Sequence, residues 1–148
     1  MLNWCQNFPS VALPPKEIFF HILYAIYPGD TWQDMEIYER VVPVLDILNY
    51  EGWQPVTGAI AEKDCIRLER YGEDCLVAHN LNDKTESKVV IKLDKSVFDQ
   101  DFELVEKLFT GLSGKGGTLE IANGQFTVDF EARDTLVLRL TKKQDDSK

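Results

Sequence analysis

The chain has 148 residues, 44% hydrophobic and 28% charged, with a formal net charge of −9. That balance belongs to a soluble folded domain and excludes a disordered one. The negative field, with lysines scattered among acids and no basic patch, excludes nucleic acid as a partner.

No apolar run is long enough to cross a bilayer; the densest, from Ile18 to Tyr27, is too short and contains His21. The first residues lack a basic segment, and prolines interrupt the place where a signal's apolar core would lie. The expected location is cytoplasmic, unless the chain comes from a secreted parent. Cys5, Cys65 and Cys75 are odd in number and lack CxxC spacing, which argues against a disulfide framework or a zinc site.

In chain order, residues 14–50 carry a helical period. A first helix is expected from Pro15 to Tyr27, opened by a proline in its first turn and stopped by Pro28-Gly29. Its interior is apolar nearly all round, so it needs partners on more than one side. A second helix is expected after Asp30-Thr31, which resemble a cap, with Met35, Tyr38, Val42, Leu45 and Leu48 on one stripe. Pro43 should kink or restart it, and Gly52 ends it.

From Gln54 to Lys143 the period falls to two. Strands are expected at Cys65–Tyr71, Cys75–Leu81, Lys88–Asp94, Phe102–Phe109, around Leu119 and Ile121, at Phe126–Phe130, and at Leu136–Leu140. Asn123-Gly124 is the favoured pair for a two-residue hairpin turn. A turn near Gly72 would place Cys65 beside Asn80, away from Cys75, so both thiols read as small buried hydrophobes. The pattern indicates a mainly β protein: an antiparallel β-sandwich of about seven or eight strands, preceded by two α-helices. Residues 1–53 form the helical segment, 54–143 the sandwich, and 144–148 a disordered tail.

Complete catalytic motifs are missing. The run Gly111 to Gly117 lacks the spacing of a phosphate-binding loop, and no GxSxG or HExxH occurs. With only His21 and His79, a multi-histidine metal site is excluded, and no cofactor is expected. His21 reads as a core histidine; His79 is expected on a solvated face. Glu69, Glu73, Asp74, Asp129 and Glu131 fall on outward strand positions or turns, where charge keeps a sandwich soluble. Among the aromatics, Trp53 reads as packing between helix and sandwich. Trp4 and Trp32, in loops beside Asn3 and Asp30, are the better candidates for contact with a sugar ring.

The order of features resembles the end of a bacterial TIM-barrel glycoside hydrolase: the last barrel loop and helices, then a C-terminal β-sandwich. The stretches that carry the resemblance are Leu2 to Pro9, Tyr27-Pro28-Gly29-Asp30, Leu48-Asn49-Tyr50-Glu51-Gly52-Trp53-Gln54-Pro55-Val56-Thr57, Ile66 to Gly72, and His79-Asn80. The resemblance implies that the first helix packs against barrel strands lying upstream of Met1. It also implies that the catalytic acid and nucleophile lie there, because barrel enzymes take both from strand ends. No residue here matches either role. Asn3, Trp4, Asp30 and Trp32 would touch carbohydrate from the last loops. The partners implied are a carbohydrate and a missing catalytic barrel, or a second copy through the first helix. A free-standing carbohydrate-binding or interaction module is the alternative. Exposure of Phe19, Phe20, Leu23 and Tyr24 discriminates between the two, since a free-standing module should cover that helix itself.

Overall fold

The computed structural model describes residues 15–27, 35–98, 101–111 and 116–142. Within them the chain forms α1 (Pro15–Ile22), α2 (Met35–Glu51), β1 (Trp53–Gln54), β2 (Ala59–Ala61), β3 (Ile66–Tyr71), β4 (Cys75–Asn80), β5 (Glu86–Leu93), β6 (Leu104–Thr110), β7 (Thr118–Glu120), β8 (Gln125–Phe130) and β9 (Thr135–Thr141). The expected sandwich is there, with nine strands among the described residues. A six-stranded sheet in the order β1-β3-β4-β9-β6-β7 faces a three-stranded sheet in the order β2-β5-β8. Every pairing is antiparallel.

Alternation along β4 and β9 divides the core in two. Leu76 and Ala78, with Leu136, Leu138 and Leu140, point between the sheets and meet Val89, Ile91, Phe126, Val128 and Phe130. Cys75, Val77 and Val137 point the other way and meet Phe19, Ile22, Leu23, Val41, Leu45 and Leu48 of the helical region. The six-stranded sheet is thus a middle layer, covered on both faces at its centre. All six residues of β4 are buried. A sheet of a plain sandwich buries one face; burial of both explains why no charged side chain interrupts β4.

The register of β3 with β4 sets Ile66 opposite Asn80 and Tyr71 opposite Cys75. The Leu81 N–H bonds the Cys65 carbonyl at 2.9 Å, so Cys65 lies away from Cys75, as the turn predicted. Both are free thiols. Burial pushes the Cys75 thiol up to about 12.

Three local features depart from expectation. Helix α1 ends at Ile22, well short of Pro28-Gly29. The Ile26 N–H bonds the His21 carbonyl and the Ala25 N–H bonds that of Ile22, with Ala25 at φ 48. That is a Schellman closure with alanine where glycine is usual, so no stop signal marks it. Helix α2 runs unbroken through Pro43, which lies on its exposed side. Finally, Asn123 and Gly124 both adopt positive φ, as the turn requires, yet β7 and β8 do not form a hairpin. One bridge, Ala122 to Gln125, closes the turn; then β7 joins β6 in one sheet and β8 joins β5 in the other.

Candidate functional site

The expected sugar contacts Asn3, Trp4, Asp30 and Trp32 lie outside the described residues, as does the expected tail, 144–148. The described aromatic surface is on the helical side of the β1–β3 edge. Phe19 and Leu23 of the α1 region are buried, but Phe20 and Tyr24 are 38% and 41% exposed. Their rings meet edge to face, 5.7 Å apart. Trp53 is 56% exposed, which corrects its reading as a packing residue. It sits on a two-residue edge strand opposite Tyr71, and an edge position leaves the indole uncovered on its outer side.

Beneath these rings lies a set of buried polar groups. Glu69 is buried, a correction to its outward placement, because the outward face of β3 lies under the helical layer. Its Oε2 accepts the Trp53 indole N–H at 2.9 Å and its Oε1 lies 3.5 Å from Arg67 Nε. The indole is therefore held in one orientation by a carboxylate that is itself fixed by packing. The Tyr71 hydroxyl donates to the Leu23 carbonyl at 2.9 Å. Burial raises its pKa far above the ordinary value, and Glu69 and Tyr24 add to the rise.

His79 is the third correction. It is 2% exposed, not solvated, with the Phe20 ring packed on it at 5.1 Å. The Thr135 hydroxyl donates to the Phe19 carbonyl at 2.8 Å and lies 2.8 Å from His79 Nδ1. A hydroxyl has one proton to give, so Nδ1 must be the protonated nitrogen and the donor to Thr135. Burial, with the nearby Arg133 charge, lowers the His79 pKa to about 4. The ring is neutral near pH 7 and ties β4 and β9 to α1.

The donors aimed at α1 form a pattern. Thr135 takes the Phe19 carbonyl, Tyr71 takes that of Leu23, and Asn49 Nδ2 takes that of Ala25 at 3.2 Å. Carbonyls at a helix end have no partner within the helix, and here the sheet and α2 supply them. Tyr27 also donates its hydroxyl to Asp46 of α2, which holds its pKa above the usual value.

The remaining candidate acids are spread over both sheets. Asp129 accepts the Lys88 N–H at 2.7 Å, Glu131 accepts the Thr85 hydroxyl at 3.2 Å, and Asp74 lies 3.7 Å from Arg139. Among the described residues, no three His, Cys, Asp or Glu side chains gather as a metal site would require. No helix among them is long and apolar enough to cross a membrane. A comparison with protein-family models found no match, and neither did a comparison with curated protein sequences.

Proposed function

We propose that the chain is a non-catalytic accessory segment of a glycoside hydrolase-like protein, in which the sandwich braces a catalytic barrel lying upstream. The observation that carries this reading is the partly exposed aromatic pair Phe20 and Tyr24, set beside Phe19, Ile22 and Leu23, which are buried. The tertiary anchoring of α1 also supports it: a helix clamped this firmly is a rigid docking element. The barrel would cover the pair and supply the acid and nucleophile.

The second reading, a free-standing carbohydrate-binding module, is favoured by a different observation. Phe19, Ile22 and Leu23 are sheltered by the chain itself, and the fixed, exposed Trp53 offers a flat face of the kind sugars stack on. The expected compartment is cytoplasmic, unless the accessory segment belongs to a secreted parent.

The decisive observation is the coding DNA upstream of Met1. An open frame encoding alternating strands and helices is the expected result. A frame with no such repeat would leave the accessory reading without its barrel. Hydrolysis of aryl glycosides by the purified chain alone would overturn both readings.

A further inference from the structure

The other side of the β1–β3 edge carries a cleft that the reading above leaves unused. Gln54 and Arg70 are register partners and neighbours of Trp53 and Glu69, so alternation turns them away from the helical layer. They form one wall of an open cleft of about 880 Å³. The β3–β4 turn at Glu73 and Asp74, with Glu51 at the end of α2, also lines it, and Val97 and Phe102 supply apolar surface.

The walls are fixed. Arg70 Nε donates to the Val56 carbonyl at 2.8 Å, and its guanidinium carbon lies 5.5 Å from the centre of the buried Phe98 ring. Phe98 meets Phe102 edge to face at 6.0 Å. Glu51 and Asp74 are neutralised by one guanidinium, Arg139, at 3.4 and 3.7 Å. Gly72 lets Glu51 lie against the turn: it has φ +58, and a Cβ there would stand 2.5 Å from Glu51 Oε2. What remains uncommitted among the described residues is the terminal pair of nitrogens on Arg70, the Glu73 carboxylate, and the amide of Gln54, whose one contact is a long 3.4 Å bond to the Gly52 carbonyl.

These groups select a chemistry. A phosphate or other anion would meet three carboxylates and a chain of net charge −9. An apolar ligand would strip water from Arg70 and Glu73 without replacing its hydrogen bonds. A ligand whose hydroxyls both donate and accept, and which has an apolar face of its own, satisfies every group. Arg70 can only donate, Glu73 can only accept, and Gln54 does both. We propose that this cleft binds a short neutral oligosaccharide, one pyranose ring resting on Val97 and Phe102 with its hydroxyls shared between Arg70 and Glu73. The inference deepens the carbohydrate reading and rests on it, and it adds a site at the β1–β3 edge built on Gln54 and Arg70.

The test is amide chemical-shift titration of the full chain with glucose-, mannose-, galactose- and xylose-based trisaccharides. At least one should give saturable shifts at Gln54, Arg70, Gly72 to Asp74 and Val97. Affinity should fall at least tenfold in Arg70→Ala and in Glu73→Ala. Arg70 also anchors Val56 and Phe98, so Glu73→Ala, at an exposed turn position, is the variant whose fold is not at risk. No saturable shift with any sugar, equal affinity in Glu73→Ala, or shifts centred on Trp53 would each overturn the proposal. The titration needs no barrel. Binding by a chain whose gene encodes none upstream would keep the cleft and discard the accessory reading; a barrel with no binding would do the reverse.

Discussion

A neutral imidazole sealed under a helix makes stability depend on pH, and the direction can be worked out. His79 binds a proton with a pKa of about 4 when folded and near 6.5 when unfolded. Between those values the unfolded chain holds more protons, so stability falls as pH drops from about 6.5 towards 4. The full loss for a gap of that size is about 3 kcal/mol. Urea unfolding across this range should show the slope, and His79→Gln should remove most of it; an equal slope in both proteins would reject the assignment. Neither His79 nor Glu69 was legible from the sequence as a buried group. Both occupy positions that alternation turns away from the sandwich interior, and for most β-sandwiches that means water. Here it means the underside of a helical layer. One signal was available for His79: its strand, Cys75 to Asn80, has no charged side chain on either face. Glu69 offered none, since its strand carries Arg67 and Arg70 as well.

For whole elements the sequence is a better guide. The strands β3, β4, β5, β8 and β9 lie where period two put them, because each has a face whose side chains must be buried. Strands β1 and β2 have two and three residues, too few for any period to show. Which sheet a strand joins was not legible either: Asn123-Gly124 makes the turn its residues demand, but sheet membership is decided by distant partners. Helix α1 was recognised as apolar all round, and the structure divides that surface. Phe19 packs edge to face on Phe109 at 5.3 Å, while Phe20 stays half in water. Phe19→Ala should therefore cost about 3–5 kcal/mol. The cost of Phe20→Ala should be well under half of that, read from paired denaturation curves; equal costs would mean the two faces of the helix are equally packed. The four candidate sugar contacts, Asn3, Trp4, Asp30 and Trp32, fall outside the described part of the chain. The cleft had no sequence signal: Gln54, Arg70, Glu73 and Phe102 are brought together only by strand pairing.

Taken together, the described residues form a helical layer, a wide sheet and a narrow sheet, with a partly exposed aromatic pair on the first layer. If that pair is a docking face, replacing it should change association more than folding. The double variant Phe20→Ser with Tyr24→Ser should raise solubility and abolish any concentration-dependent sedimentation. A melting temperature lowered as far as by Phe19→Ala would instead make the pair part of the core. The wide sheet also fixes the order of events during synthesis. Strand β9 is the last of the nine to leave the ribosome, yet it lies between β4 and β6 and supplies the contacts that hold them. Until Thr135 to Thr141 has emerged, β4 and β6 have no strand between them, and Val137 is missing from the surface that the helices cover. The wide sheet therefore closes only once β9 is present, and until then β4 and β6 carry unpaired edges within reach of chaperones.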